Sequence, residues 1–133
     1  MAIKAVRGAI TASENTVLAI LAATTELLRG IQQANPTLKA GDLVSAVFTA
    51  TADLNAVYPA RAARELGWVD LAMMCAQEMS VEGSLARCIR VMLLWDTDLN
   101  PNEIIHVYVG AAAQLRPDWS NHFQAQQAKG GAI

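Results

Sequence analysis

Charge is scarce in this sequence. Only 17% of its 133 residues are Asp, Glu, Lys or Arg, while 53% are apolar. Soluble domains carry about 25% charged residues. Too few charges are present to cover a monomer's surface comfortably, which hints at buried subunit interfaces. No basic excess exists either. The formal net charge is −2, so nucleic acid would meet no cationic footprint. The two cysteines, Cys75 and Cys88, form no Cys-x-x-Cys pair and no zinc spacing. They suit a reduced, cytoplasmic protein. The first residues, Met-Ala-Ile-Lys-Ala-Val-Arg, hold no long apolar signal core. The longest weakly polar run, Val17 to Thr25, falls well short of the ~20 residues that span a bilayer.

Chemical motifs are missing as well. There is no Gly-x-Gly-x-x-Gly, no P-loop and no Gly-x-Ser-x-Gly nucleophile elbow. His106 and His122 lack metal-ligand spacing, and a lone histidine is more often structural. Cys75 has no activating base nearby in sequence, so covalent catalysis finds no support. No cofactor is implied.

The local patterns predict an alternation of strands and helices. Residues 3–11 read as a strand with Ile3, Ala5, Arg7 and Ala9 on one face. Ser13 is the expected N-cap of a long helix whose apolar stripe runs from Val17 through Ile31. Asn35-Pro36 should stop it. Leu43–Ala50 reads as a buried strand. Thr51 to Val57 reads as a loop, and Ala60–Leu66 as a short helix after Pro59, stopped by Gly67. Further strands are expected at Val69–Met74, Arg87–Asp96, Ile105–Val109 and Ala112–Leu115. A capped turn is expected at Asn100-Pro101-Asn102-Glu103. The fold class is α/β (α+β): one domain with a mixed β-sheet of about five strands and helices packed on a face. Residues 1–118 form the expected folded domain. The polar tail 119–133 is expected to fray.

What is present is a charge in an unusual place. Arg90 lies inside Cys88-Ile89-Arg90-Val91-Met92-Leu93-Leu94-Trp95, the most apolar stretch of the chain. A guanidinium cannot shed its proton, and burying it costs several kcal/mol unless an anion compensates. Two readings stay open on the residues alone. Glu78, a lone carboxylate in Cys75-Ala76-Gln77-Glu78-Met79, could pair with Arg90 and merely fix the fold. Alternatively the anion belongs to a ligand. Arg7 could snorkel from an edge strand, Arg116 could cap a solvated strand end, and Arg61 with Arg64 could form an ordinary solvated face. Tyr108 suits core packing with its hydroxyl at the rim. Taken together, several arginines, one carboxylate and one tyrosine in an apolar setting suit a small dicarboxylate, bound through charge-assisted pairs.

Several segments then form a pattern. They are Ala5-Val6-Arg7-Gly8-Ala9, Ala56-Val57-Tyr58-Pro59-Ala60-Arg61 through Gly67-Trp68, Cys75-Ala76-Gln77-Glu78-Met79, Cys88-Ile89-Arg90-Val91-Met92 and Ile105-His106-Val107-Tyr108, followed by Leu115-Arg116-Pro117-Asp118. In this order the chain resembles the small trimeric α/β chorismate mutases, from residue 3 to about 118. Tyr58 stands where that family commonly has Phe, and Arg61 where it commonly has Lys.

The resemblance implies a pseudo-α/β-barrel homotrimer with active sites between subunits. It also implies isomerisation of chorismate to prephenate on the route to phenylalanine and tyrosine. Arg90, Glu78 and Arg7 would be the catalytic residues. Arg90 would face the ether oxygen of the breaking bond, Arg7 a substrate carboxylate, and Glu78 with Cys75 the ring hydroxyl. Tyr108 would hold the enolpyruvyl group. Arg64 and Arg116 would add positive charge, Tyr58 would line the cleft from a neighbouring chain, and Met74 and Leu115 would complete the substrate contacts. Two alternatives remain: a non-catalytic trimer of the same fold that binds a carboxylate metabolite, and a deaminase of reactive enamine or imine intermediates.

Overall fold

Strand β1 (Ile3–Thr11) leads into helix α1 (Val17–Ala34). The computed structural model describes residues 2–120 and 122–124. Ile20, Thr24, Leu27, Leu28 and Ile31 are buried along one stripe of α1, as the apolar spacing predicts. The cap is Thr16, not Ser13. Thr16 is extended, and its Oγ1 accepts the Ala19 amide at 3.1 Å. Asn15 explains the shift. Its side chain is tied to the loop around Asn55: Nδ2 donates to Asn55 Oδ1, and Oδ1 accepts the Asn55 and Ala56 amides. Asn35 closes the other end by donating from Nδ2 to the Ile31 carbonyl.

A short 3₁₀ turn at Ala40–Asp42 precedes β2 (Leu43–Ala50). Helix α2 (Ala60–Glu65) ends where Gly67 takes a positive φ of 96°, a conformation that glycine adopts without strain. β3 is Ala72–Gln77, three residues later than expected at each end. Val69 has strand propensity but is exposed in the connector. Pairing decides the strand, because Ser45 to Ala50 align in parallel with Ala72 to Gln77. β4 (Cys88–Asp96) starts after Arg87, whose φ is 49°. Asp53 Oδ2 accepts the Arg87 amide there at 2.9 Å.

Pro101–Glu103 forms a 3₁₀ turn with the expected capping box. The expected strand at Ile105–Val109 shortens to β5, Val107–Tyr108. The expected strand at Ala112–Leu115 is instead a 3₁₀ helix, Gly110–Leu115. Gly110, at φ 60°, turns the chain out of the sheet. Beyond Arg116, which is not helical, residues 117–120 and 122–124 are helical. Residues 125–133 lie outside the described residues.

The sheet order is β3-β2-β4-β1-β5. β4 runs antiparallel to β1 and β2, while β5 and β3 run parallel to β1 and β2 respectively. The sheet is therefore mixed and has two different faces. Val6, Phe48, Ile89, Val91, Leu93, Trp95 and Val107 form the main core with α1 and α2. The opposite face carries Ile3, Arg7, Ala9, Met74, Arg90 and Met92. Part of it is roofed by a small cluster of Ala9, Cys88, Tyr108 and Ala112, packed by Leu85, Leu115 and Trp119. The rest stays open, with Ile3 46%, Met74 63% and Met92 40% exposed.

Candidate active site

A single row of residues crosses the open face. Tyr108 on β5 aligns with Ala9 on β1, Ala9 with Arg90 on β4, Arg90 with Thr49 on β2, and Thr49 with Ala76 on β3. The small Ala9 stands between the two large polar side chains in the row. Arg90 is held from both sides by ladder hydrogen bonds in a central strand, so its backbone has little freedom.

Glu78 reaches this row from the end of β3. Its amide donates to the Ala50 carbonyl at 2.9 Å, extending the ladder by one residue. Its Oε2 accepts the Thr49 hydroxyl at 2.5 Å and stands 3.6 Å from Arg90 Nε. Both charged side chains are 26% exposed. The chain thus supplies Arg90 with an anion of its own, but at ion-pair distance rather than hydrogen-bond distance. Two buried side-chain atoms among the described residues lack a hydrogen-bond partner: Arg90 Nε and Tyr108 Oη. Such atoms are rare in folded proteins, and here both belong to one row. Burial pushes the Tyr108 phenol up, opposed by Arg7, Arg116 and Arg90. Its hydroxyl keeps its proton at neutral pH and can donate.

Arg7 lies on the same face, with Met92 as its β4 partner. Its amide donates to His106 Nδ1 at 2.9 Å. Burial, then the cations of Arg116 and Arg7, hold His106 at about 4, so the ring is neutral at physiological pH. Leu115 packs against the Tyr108 cluster. Arg116 is already engaged: it grips Asp118 through two hydrogen bonds of 3.1 and 2.9 Å and lies 3.4 Å over the Trp119 ring.

Other expected site residues lie apart. Cys75 pairs with Phe48, so its thiol faces the main core and not Glu78. It lines a cavity of about 540 Å³ together with Tyr58, Leu54 and Ala50. Tyr58 is 72% exposed and Arg64 is exposed on α2. Among the described residues, neither side chain shares a hydrogen bond or ion pair with Arg7, Glu78, Arg90 or Tyr108. Met74 is exposed on the open face. A larger groove of about 810 Å³ runs along α1, remote from this chemistry. Among the described residues, no cluster of three His, Cys, Asp or Glu side chains could hold a metal ion.

Sequence reasoning missed Thr49, His106 and Trp119. Thr49 left one signal, a hydroxyl inside the apolar segment Ala46-Val47-Phe48-Thr49-Ala50. The other two reveal their place only through contacts across the fold.

Residues 3–119 match the model of the chorismate mutase type I family. The chain belongs to that family. The chorismate mutase AroH of Thermus thermophilus is 43% identical over 116 residues, 87% of this chain and 95% of that protein. The chorismate mutase AroH of Bacillus subtilis is 46% identical over 121 residues, 90% of this chain and 94% of that protein. A solved chorismate mutase from Clostridium thermocellum superposes with a TM-score of 0.81 at 45% identity, covering 84% of this chain and 98% of the other. Membership of the chorismate mutase family accounts for the α/β fold and sets aside the imine deaminase.

Proposed function

We propose that this protein isomerises chorismate to prephenate by a concerted Claisen rearrangement, on the route to phenylalanine and tyrosine. The observation that carries the proposal is the pair of buried, unsatisfied atoms in one row, Arg90 Nε and Tyr108 Oη. Both are hydrogen-bond donors, and both suit an anionic, oxygen-rich guest.

The rearrangement breaks and forms bonds within one molecule. It needs no nucleophile, general base or cofactor. It needs the substrate held in its compact conformer and an electrostatic partner for the charge that develops. Arg90 is the partner for the ether oxygen as the carbon–oxygen bond breaks. Charge grows on that oxygen in the transition state, so a fixed cation lowers the barrier rather than merely tightening binding. Glu78, oriented by Thr49, accepts the ring hydroxyl. Arg7 binds a carboxylate, and Tyr108 donates to the enolpyruvyl end.

The working unit in this proposal is a homotrimer with sites between subunits. The exposed Ile3, Met74 and Met92 on one sheet face support it. So do the exposed Tyr58 and Arg64, which a neighbouring chain can bring to the row. Residues 1–118 are the catalytic unit in this proposal. A cytoplasmic setting is supported by the free Cys75 and Cys88. No helix among the described residues is long and apolar enough to cross a membrane. The test is loss of chorismate absorbance on adding purified protein, with prephenate as product. No acceleration over the uncatalysed reaction rejects the proposal.

A further inference from the structure

The approach to β5 is built in an uncommon way. Asn35 is buried at the end of α1 and bonds both polar groups of the Ile105 backbone: its Oδ1 accepts the Ile105 amide and its Nδ2 donates to the Ile105 carbonyl, each at 2.9 Å. The backbone just before β5 is therefore spoken for by a helix rather than by β1. Val107 and Tyr108 then pair with Gly8 and Ala9, and the Val109 amide donates to the Ala9 carbonyl at 2.9 Å. Between these two anchors lies His106. Its imidazole takes the place of a ladder carbonyl and accepts the Arg7 amide.

The ring has a second contact. It stacks on Trp119 with centroids 3.8 Å apart and planes at 27°. The same indole carries the Arg116 guanidinium, and its helical segment is tied back by Ser120, whose hydroxyl donates to the Ala113 carbonyl at 2.7 Å. One side chain thus joins the strand that carries Arg7 to the segment that carries Arg116.

We propose that His106 is a positioning residue, whose neutral ring fixes the Arg7 backbone through Nδ1 and couples it to Arg116 through Trp119. The proposal rests on the preceding one insofar as Arg7 binds a substrate carboxylate. The groups facing the ring fit a neutral acceptor. Arg7 approaches from β1, while Arg116, His122 and Asp118 approach from the C-terminal segment, and only Asp118 favours a charged ring. Protonation at Nδ1 would remove the acceptor and set a cation beside two arginines.

The test uses the full-length protein and two variants. His106→Phe keeps a stacking ring and loses the acceptor. His106→Asn keeps a short-range acceptor and loses the ring. In His106→Phe, exchange of the Arg7 amide should accelerate about tenfold and KM for chorismate should rise about fivefold or more, with kcat within about threefold. His106→Asn should restore most of the slow exchange and most of the KM. A folded His106→Phe protein with unchanged KM overturns the proposal. If the wild type makes no prephenate, the proposed function fails, and the inference is judged on Arg7 exchange alone, where no change overturns it. If His106→Phe does not fold, the nitrogen-15 titration of the wild-type ring decides. A bare Nδ1 titrating near 4 supports the proposal, and titration at the ordinary 6.5 or above overturns it.

Discussion

Arg90 Nε stands 3.6 Å from Glu78 Oε2, close enough for an ion pair and too far for a hydrogen bond. The nearer partner of that oxygen is the Thr49 hydroxyl, at 2.5 Å. Thr49 therefore holds the carboxylate off the guanidinium. A fold-fixing salt bridge would have closed the gap, because a buried Nε with no partner is unfavourable.

Thr49→Val should relax this arrangement. The methyl group replaces a donor at nearly equal size, so the strand is kept. Glu78 then loses its orientation and can close on Arg90. Steady-state kinetics should show kcat/KM lower by about fivefold to tenfold, the effect of one hydrogen bond. The assembly should be unchanged by gel filtration.

Gly8 is a packing constraint. A Cβ there would lie 2.9 Å from the Val107 carbonyl oxygen and 3.0 Å from both Leu27 Cδ1 and Ile31 Cδ1. The oxygen is backbone and cannot step aside. Gly8→Ala should push β5 and α1 away from β1, lowering stability by about 1–3 kcal/mol. Urea unfolding followed by circular dichroism measures it.

His106 should make stability depend on pH in one direction. Its folded value, about 4, is below the unfolded 6.5. The unfolded chain takes up the proton first, so stability is fully present above 6.5 and is lost as the pH falls from there toward 4. Urea midpoints across this window should fall in the wild type. The part due to this ring should vanish in His106→Asn.

The open sheet face should be an interface. Met92 lies near its centre, between Arg7 and Val47 in register. Met92→Glu would bury a carboxylate against a neighbouring chain. Sedimentation should show the assembly dissociating, with activity lost alongside it. A variant that stays a trimer contradicts the proposed interface.

Much of this molecule was legible because the signals are local. The stripe on α1, the Gly67 stop and the apolar β4 each lie within a dozen or so neighbouring residues. β3 was misplaced because Val69 has strand propensity, while the true limits come from pairing with β2. The segment Gly110–Leu115 was misread because a run of alanines fits strand or helix, and Gly110 settles the matter by its backbone. Arg90 and Glu78 stood out as charges among apolar neighbours. Thr49 and His106 did not, since their partners lie 29 and 99 residues away. Cys75 lies off the row because its register with Phe48 turns the thiol to the main core, and Tyr58 is exposed away from it.

The central claim is that Arg90 acts as a fixed cation in chorismate rearrangement. The most direct measurement follows chorismate absorbance with the wild type and with Arg90→Lys, at matched assembly state. Lysine keeps a charge but loses the planar guanidinium and its Nε. The account predicts rapid conversion to prephenate by the wild type and a kcat at least about 100-fold lower in Arg90→Lys, the scale of losing one transition-state donor. A wild type no faster than the uncatalysed reaction, or a variant of full activity, would contradict it.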